Sequence, residues 1–209
     1  MTTQPPRTTI TTPDDLRAVY PEPHEMARLK CIPRLDDHCR RWIALSPFIV
    51  LASTDDGSHV DVSPRGGEPG FVRVADDTTL LMPDVPGNNR LDTLTNILSS
   101  PGVGTIFFVP GLEETLRVNG TAEIVRDAEL CASFAERGRP ASAVVRITVR
   151  EVYFHCSKSL KRSGIWRAET YPDRASFPSL VEVVTDQIRA NTPAAEPIAE
   201  TTAGGAGTA

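Results

Sequence analysis

The residues best suited to chemistry in this chain gather around Arg90. It stands directly behind the loop Pro86-Gly87-Asn88-Asn89, at the head of a stretch with helical periodicity that runs to Ser99. A helix start exposes free backbone N–H groups and the positive end of the helix dipole, so it can seat an oxyanion. Gly87 would let the backbone come close to such a group. Asn88 and Asn89 can cap the helix and donate side-chain amides, and Arg90 offers a planar fork that matches phosphate oxygens. The same residues also suit an ordinary capped loop with a solvated arginine.

Three further basic elements bear on the choice. "DVSPRGGEPGF" places Ser63 and Arg65 at a strand end before two glycines, where a backbone without side-chain bulk permits close approach of a ligand. A glycine-rich hairpin with an exposed arginine fits that stretch equally well. In "EETLRVNG", strand alternation puts Thr115, Arg117 and Asn119 on one face and Leu116 and Val118 on the other, so Arg117 looks outward if the apolar pair faces the core. "HCSKSLKRSGIW" gathers Lys158, Lys161 and Arg162 just before Trp166, which suits a solvated helix face or a stacking and anion-binding role.

Other chemistries lack their residues. His24, His38, His59 and His155 lie in no motif that names a nucleophile, and neither a dinucleotide-binding nor a Walker glycine pattern is present. The spacing of Cys31, His38 and Cys39 does not match a zinc knuckle, so no metal site is expected. Catalysis would then fall to a bound cofactor, with the protein supplying position and electrostatics.

The elements that must hold these residues are mainly strands. Thr12-Pro13-Asp14-Asp15 starts a short helix over 13–19, another resumes near Glu25, and residues 35–45 place Leu35, Cys39, Trp42 and Ile43 on one side of a third. Strands follow over 47–54, 59–63, 71–74 and 78–82, paired by the turns Asp55-Asp56-Gly57 and Ala75-Asp76-Asp77. A helix over 88–99 leads to strands at 103–109 and 115–125, a helix over 127–138 stopped by Gly138, a long strand at 142–156 and an amphipathic helix at 177–191. An antiparallel set of this kind avoids open edges by closing into a small barrel, with the helices covering it.

With 209 residues, the chain is long enough to bury a core, and one domain over 13–191 is expected between a disordered N-terminus (1–12) and a disordered tail (192–209). The balance of 22 basic against 27 acidic residues, net −5, argues against broad nucleic-acid binding. No apolar run is long enough to span a bilayer, and the first residues lack the apolar core of a signal peptide, so no membrane association and a cytoplasmic location are expected. The widely spaced Cys31, Cys39, Cys131 and Cys156 read as reduced thiols.

On "VSPRGGEPGFVRV", "PGNNR", the Ser100-Pro101 break, Arg117-Val118-Asn119-Gly120 and "HCSKSLKRSGIW", residues 47–166 resemble the pyridoxamine 5′-phosphate oxidase-related, FMN-binding split-barrel family, in an uncharacterised branch. The resemblance implies a mainly β fold with flanking helices, a six-stranded antiparallel, Greek-key-like split barrel. It further implies an FMN-dependent oxidoreductase acting on a small molecule, working as a homodimer with flavin at the subunit interface. Carried over, Asn88, Asn89 and Arg90 would hold the FMN phosphate, and Met82, Pro83 and Asp84 would line the isoalloxazine. Ser63 and Arg65 would reach the phosphate or ribityl chain, Thr115 and Arg117 would face the flavin, and Lys161, Arg162 and Trp166 would come from the partner or close the cleft. Arg65 or Lys161 is the candidate positive group beside the flavin N1 and O2. Asn88-Asn89-Arg90 replaces the oxidase's Ser-Arg-Lys loop with one cation fewer, and the oxidase's C-terminal Arg-x-His pattern is absent, so vitamin B6 is not the expected substrate. A non-catalytic flavin-binding or stress protein, and an F420-dependent reductase on the same fold, are the alternatives the resemblance also admits.

Overall fold

Alternation of apolar and polar residues is carried through into seven strands: β1 (Phe48–Thr54), β2 (Val60–Gly66), β3 (Arg73–Asp76), β4 (Thr79–Asp84), β5 (Gly102–Phe108), β6 (Thr115–Val125) and β7 (Ala143–His155). The computed structural model describes residues 9–57 and 59–192. The ends expected to be disordered lie largely outside that range. Every pairing is antiparallel, in the order β2-β1-β5-β6-β7-β4-β3. The seven strands correspond to the seven segments read from alternation, one more than the six-stranded barrel that the resemblance implied.

Strands β2 and β4 have four others between them, about 24 Å across a flat sheet, yet they line one cavity. The sheet is therefore strongly curled, with a split between its two hairpins. Its inner face holds the core. Ile49, Leu51, Leu80, Met82, Phe107, Leu116, Val118, Val145, Ile147 and Val152 are almost wholly buried there. Helix α3 (Asp37–Leu45) lays Cys39, Trp42 and Ile43 on this core, and the Trp42 indole donates to the Phe107 carbonyl at 3.3 Å. Helix α4 (Asp92–Ser99) packs Ile97 against it, and the Asn96 amide donates to Ser53 Oγ at 3.0 Å.

Helices α1 (Pro13–Val19) and α2 (Glu25–Leu29) bury no side chain. Helix α5 (Ala128–Ser133) is shorter than the expected 127–138, since its chain folds back through a Glu136–Arg139 bridge. The basic run after β7 forms helix α6 (Lys158–Ser163). The chain divides at Trp166/Arg167 into two compact units. The second contains two 3-10 turns (Ala168–Thr170 and Arg174–Ser176) and helix α7 (Leu180–Asn191), whose capping box joins Ser179 and Glu182. Among the described residues no helix is long and apolar enough to cross a membrane. Cys31, Cys39, Cys131 and Cys156 are all free thiols.

Candidate functional site

At the split lies a cavity of about 640 Å³, within the usual range for small-molecule sites. Four segments wall it: Ser63 to Gly66 on β2, Pro83 and Asp84 on β4, the loop from Val85 to Leu91, and the first turn of α4. Phe71, Glu136 and Ser142 complete it.

The β2 wall is set by register. Arg65, Ser63 and Asp61 pair with Ile49, Leu51 and Ser53, so all three side chains share the inner face, at the sheet's edge where the core ends. The strand expected over 59–63 runs three residues further, into the glycine-rich stretch. Pro64, Arg65 and Gly66 belong to β2, and a Cβ on Gly67 would press into the Phe71 side chain. Arg65 Nη2 donates to Thr93 Oγ1 at 3.1 Å and its Nη1 to the Pro64 carbonyl at 2.9 Å. Asp61 ties this wall to α4, because its Oδ2 accepts from both Ser63 Oγ and Thr93 Oγ1, each at 3.1 Å.

The loop into α4 departs from the expected cap. The helix begins at Asp92 rather than near residue 88, and Asn88 does not cap it; Asn88 Oδ1 instead accepts the Arg90 N–H at 3.1 Å. Asn89 and Leu91 both adopt left-handed backbone, φ 58° and 61°, which turns the chain sharply ahead of the helix. Leu91 occupies the cap position and has no side chain able to serve it. Thr12, Asp36, Asp127 and Ser179 do cap α1, α3, α5 and α7, whereas the first-turn N–H groups of α4 are left to the cavity. Gly87 is not needed for space, since a Cβ there would meet nothing within 4 Å.

The cavity's charge is mixed. Arg90 Nε donates to Asp92 Oδ2 at 2.7 Å, a bond that raises the arginine's proton affinity and leaves its fork half engaged. Burial pushes the Asp84 carboxyl above its usual range, and Arg65 across the cavity offsets only part of that. The donor set of Arg65, Arg90, the Asn89 amide and the uncapped turn fits the anionic end of a ligand. Pro83, Phe71 and Asp84 offer a flatter wall with one carboxyl.

The remaining expected site residues lie elsewhere. Met82 is 1% exposed and points into the core, so only its backbone borders the neighbouring Pro83 wall. Arg117 falls in a row across the outer face, Pro64–Val50–Ile106–Arg117–Tyr153, opposite in parity to Arg65. There Arg117 Nε donates to Asn119 Oδ1 at 3.2 Å, and its guanidinium lies 5.7 Å from the centre of the Tyr153 ring. Asn119 and the Cys31 thiol both donate to Glu151; those bonds hold its carboxyl below the usual range, while burial and this carboxylate push the thiol up. Thr115 is buried opposite His155, whose pKa is lowered by burial first and then by Lys30 and Arg117.

Lys161 pairs with Glu113 at 3.1 Å and the Trp166 indole donates to the Leu112 carbonyl at 2.8 Å, clipping α6 to the loop after β5. Arg162 is exposed. One chain thus assembles Ser63, Arg65, Pro83, Asp84, Asn88, Asn89 and Arg90, but not Thr115, Arg117, Lys161, Arg162 or Trp166. Sequence reading missed Asp61, Asp92 and Thr93. The period-2 spacing of Asp61, Ser63 and Arg65 was a usable signal for the first; Thr93, 32 positions away, carried none.

A family model described as pyridoxamine 5′-phosphate oxidase matches residues 35–156, which takes in the whole cavity. No curated protein matches the chain. Among solved structures it is similar to HupZ of Group A Streptococcus, at 20% identity over 56% of this chain and 91% of that one, TM-score 0.47. It is also similar to an FMN-binding protein from Syntrophomonas wolfei (11%, 56% and 83%, TM-score 0.46) and to General Stress Protein 26 from Bacillus anthracis (16%, 56% and 93%, TM-score 0.42).

Proposed function

Because the chain belongs to the pyridoxamine 5′-phosphate oxidase family, we propose that it is an FMN-dependent oxidoreductase acting on a small molecule. The observation that carries this reading is the cavity at the split, where an uncapped helix start and two arginines face one lobe. The FMN phosphate would take the N–H groups of the first turn of α4 with Asn89, Arg90 and Arg65. The ring would lie toward Pro83 and Asp84, and bound there it would supply hydride exchange with the substrate.

The working unit of this reading is a homodimer. Arg65 and Arg117 point to opposite faces of one sheet, so a single ligand meets both only if the second comes from another chain. The outer face suits such a contact: Val60 and Val62 are exposed, and Val50, Ile106 and Phe108 are only half covered around Phe48. Arg117 continues that face and would reach the partner's cavity with Lys161, Arg162 and Trp166.

The first test is the absorption spectrum of the purified protein and identification of the chromophore it releases. FMN is expected; F420 would redirect the assignment to a deazaflavin reductase, and no chromophore together with no uptake of added FMN would overturn it. Reduction by NAD(P)H or dithionite, followed by reoxidation with candidate acceptors, separates an oxidoreductase from a protein that only holds flavin. Asn89→Ala combined with Arg90→Ala is expected to raise the FMN Kd by about tenfold or more, since charge-assisted bonds to phosphate are lost. An unchanged Kd would mean that the phosphate sits elsewhere.

A further inference from the structure

Asp61 is not part of the cavity wall, yet it is the only described side chain bonded to both Ser63 and Thr93. Its chemistry fixes the direction of every proton in the cluster. An ionised carboxylate only accepts, so the hydroxyls of Ser63 and Thr93 must both donate to Oδ2. With its proton committed, Thr93 Oγ1 turns a lone pair outward, and Arg65 Nη2 donates to it at 3.1 Å. Thr93 is 2% exposed, so water cannot replace either bond. The guanidinium is thereby held at the first turn of α4, beside the N–H groups that no side chain caps. Asp61 is also among the charges that act on Arg90.

We propose that Asp61 is a positioning residue that aims Arg65 at the ligand's phosphate by orienting the Thr93 hydroxyl. This rests on the flavin reading above and goes beyond it by assigning the orientation to a residue that does not touch the ligand.

Electrostatics alone makes the opposite prediction, which sharpens the test. A carboxylate near an anion site repels the anion, so removing its charge should tighten binding if charge is all that matters. If aiming matters more, Asp61→Asn loosens it, because the amide can donate toward Thr93 and reverse the relay.

The experiment measures FMN and riboflavin affinity for the full chain and for Asp61→Asn, Thr93→Val and Thr93→Ser, each with a thermal melt. Asp61→Asn and Thr93→Val are each expected to weaken FMN about tenfold. Riboflavin, which lacks the phosphate, is expected to bind all four proteins alike. Thr93→Ser keeps the hydroxyl and is expected to retain FMN affinity, and Asp61→Asn combined with Thr93→Val should lose no more than the worse of those two changes alone. Tighter FMN binding by Asp61→Asn, equal losses for FMN and riboflavin, or a Thr93→Val protein indistinguishable from the parent would each overturn the proposal. If Asp61→Asn does not fold, the Thr93→Val and Thr93→Ser pair decides alone. Failure of the parent protein to bind either flavin strikes instead at the flavin reading itself.

Discussion

Asp84 and Asp92 illustrate how single carboxyls set the character of the cleft. Burial raises the Asp84 pKa, so the folded chain favours its protonated form, and any stability it contributes at low pH is lost as pH rises through the folded value. Asp84→Asn should therefore melt higher than the parent at neutral pH. The difference should shrink as pH falls through the ordinary carboxylate range, and melts between roughly pH 3 and 8 would show it. A difference that does not change with pH would mean Asp84 is not held by desolvation. Asp92 acts on Arg90 by competition, because it already occupies Nε. Asp92→Asn is expected to tighten FMN several-fold in a fluorescence titration, whereas weaker binding would mean the ion pair is what holds Arg90 in place. The arginines were legible as residue types, since few side chains match phosphate as they do. Thr93, which joins Arg65 to Asp61, was not, because hydrogen bonds across a fold leave no periodic mark on the sequence.

Strands and their turns were the most legible elements, and the reason is visible in β6. Thr115–Val125 alternates without a break until the bulge at Asn119/Gly120, where the register with β7 shifts. A Cβ on Gly120 would collide with the Thr148 carbonyl oxygen, so the bulge admits glycine and nothing larger. Gly120→Ala should cost about 2–3 kcal/mol and lower Tm by roughly 5–10 °C, read from thermal melts. An unchanged Tm would mean β7 can move aside. The start of α4 was misread for the converse reason. Asn88-Asn89 has the composition of a cap, but the chain spends Asn89 on a left-handed turn and places Leu91, a residue that disfavours that conformation, at the cap. Composition predicts the commonest use of a residue, and this loop uses its residues otherwise. Strain of this kind is retained where something is gained by it, here a helix start left open to a cavity.

At the scale of the molecule, the fold class followed from alternation and turn chemistry, while the closing of the sheet around a split came from packing that no short stretch encodes. The proposed dimer makes a direct prediction. Ile106 lies half-buried at the centre of the apolar outer row, so Ile106→Asp should convert a dimer to monomers by light scattering and weaken FMN in step. A dimer that survives the change, or a monomer that binds FMN fully, would exclude a site shared across this face. The clip that fastens α6 has a practical corollary. The chain's two tryptophans sit in contrasting surroundings, Trp42 at 8% exposure inside the core and Trp166 half-exposed on the clip. Their emission should differ in colour, the first blue and the second red. Replacing either by phenylalanine leaves one optical reporter, so melting of the core and release of the clip can be followed as separate signals in the same solution.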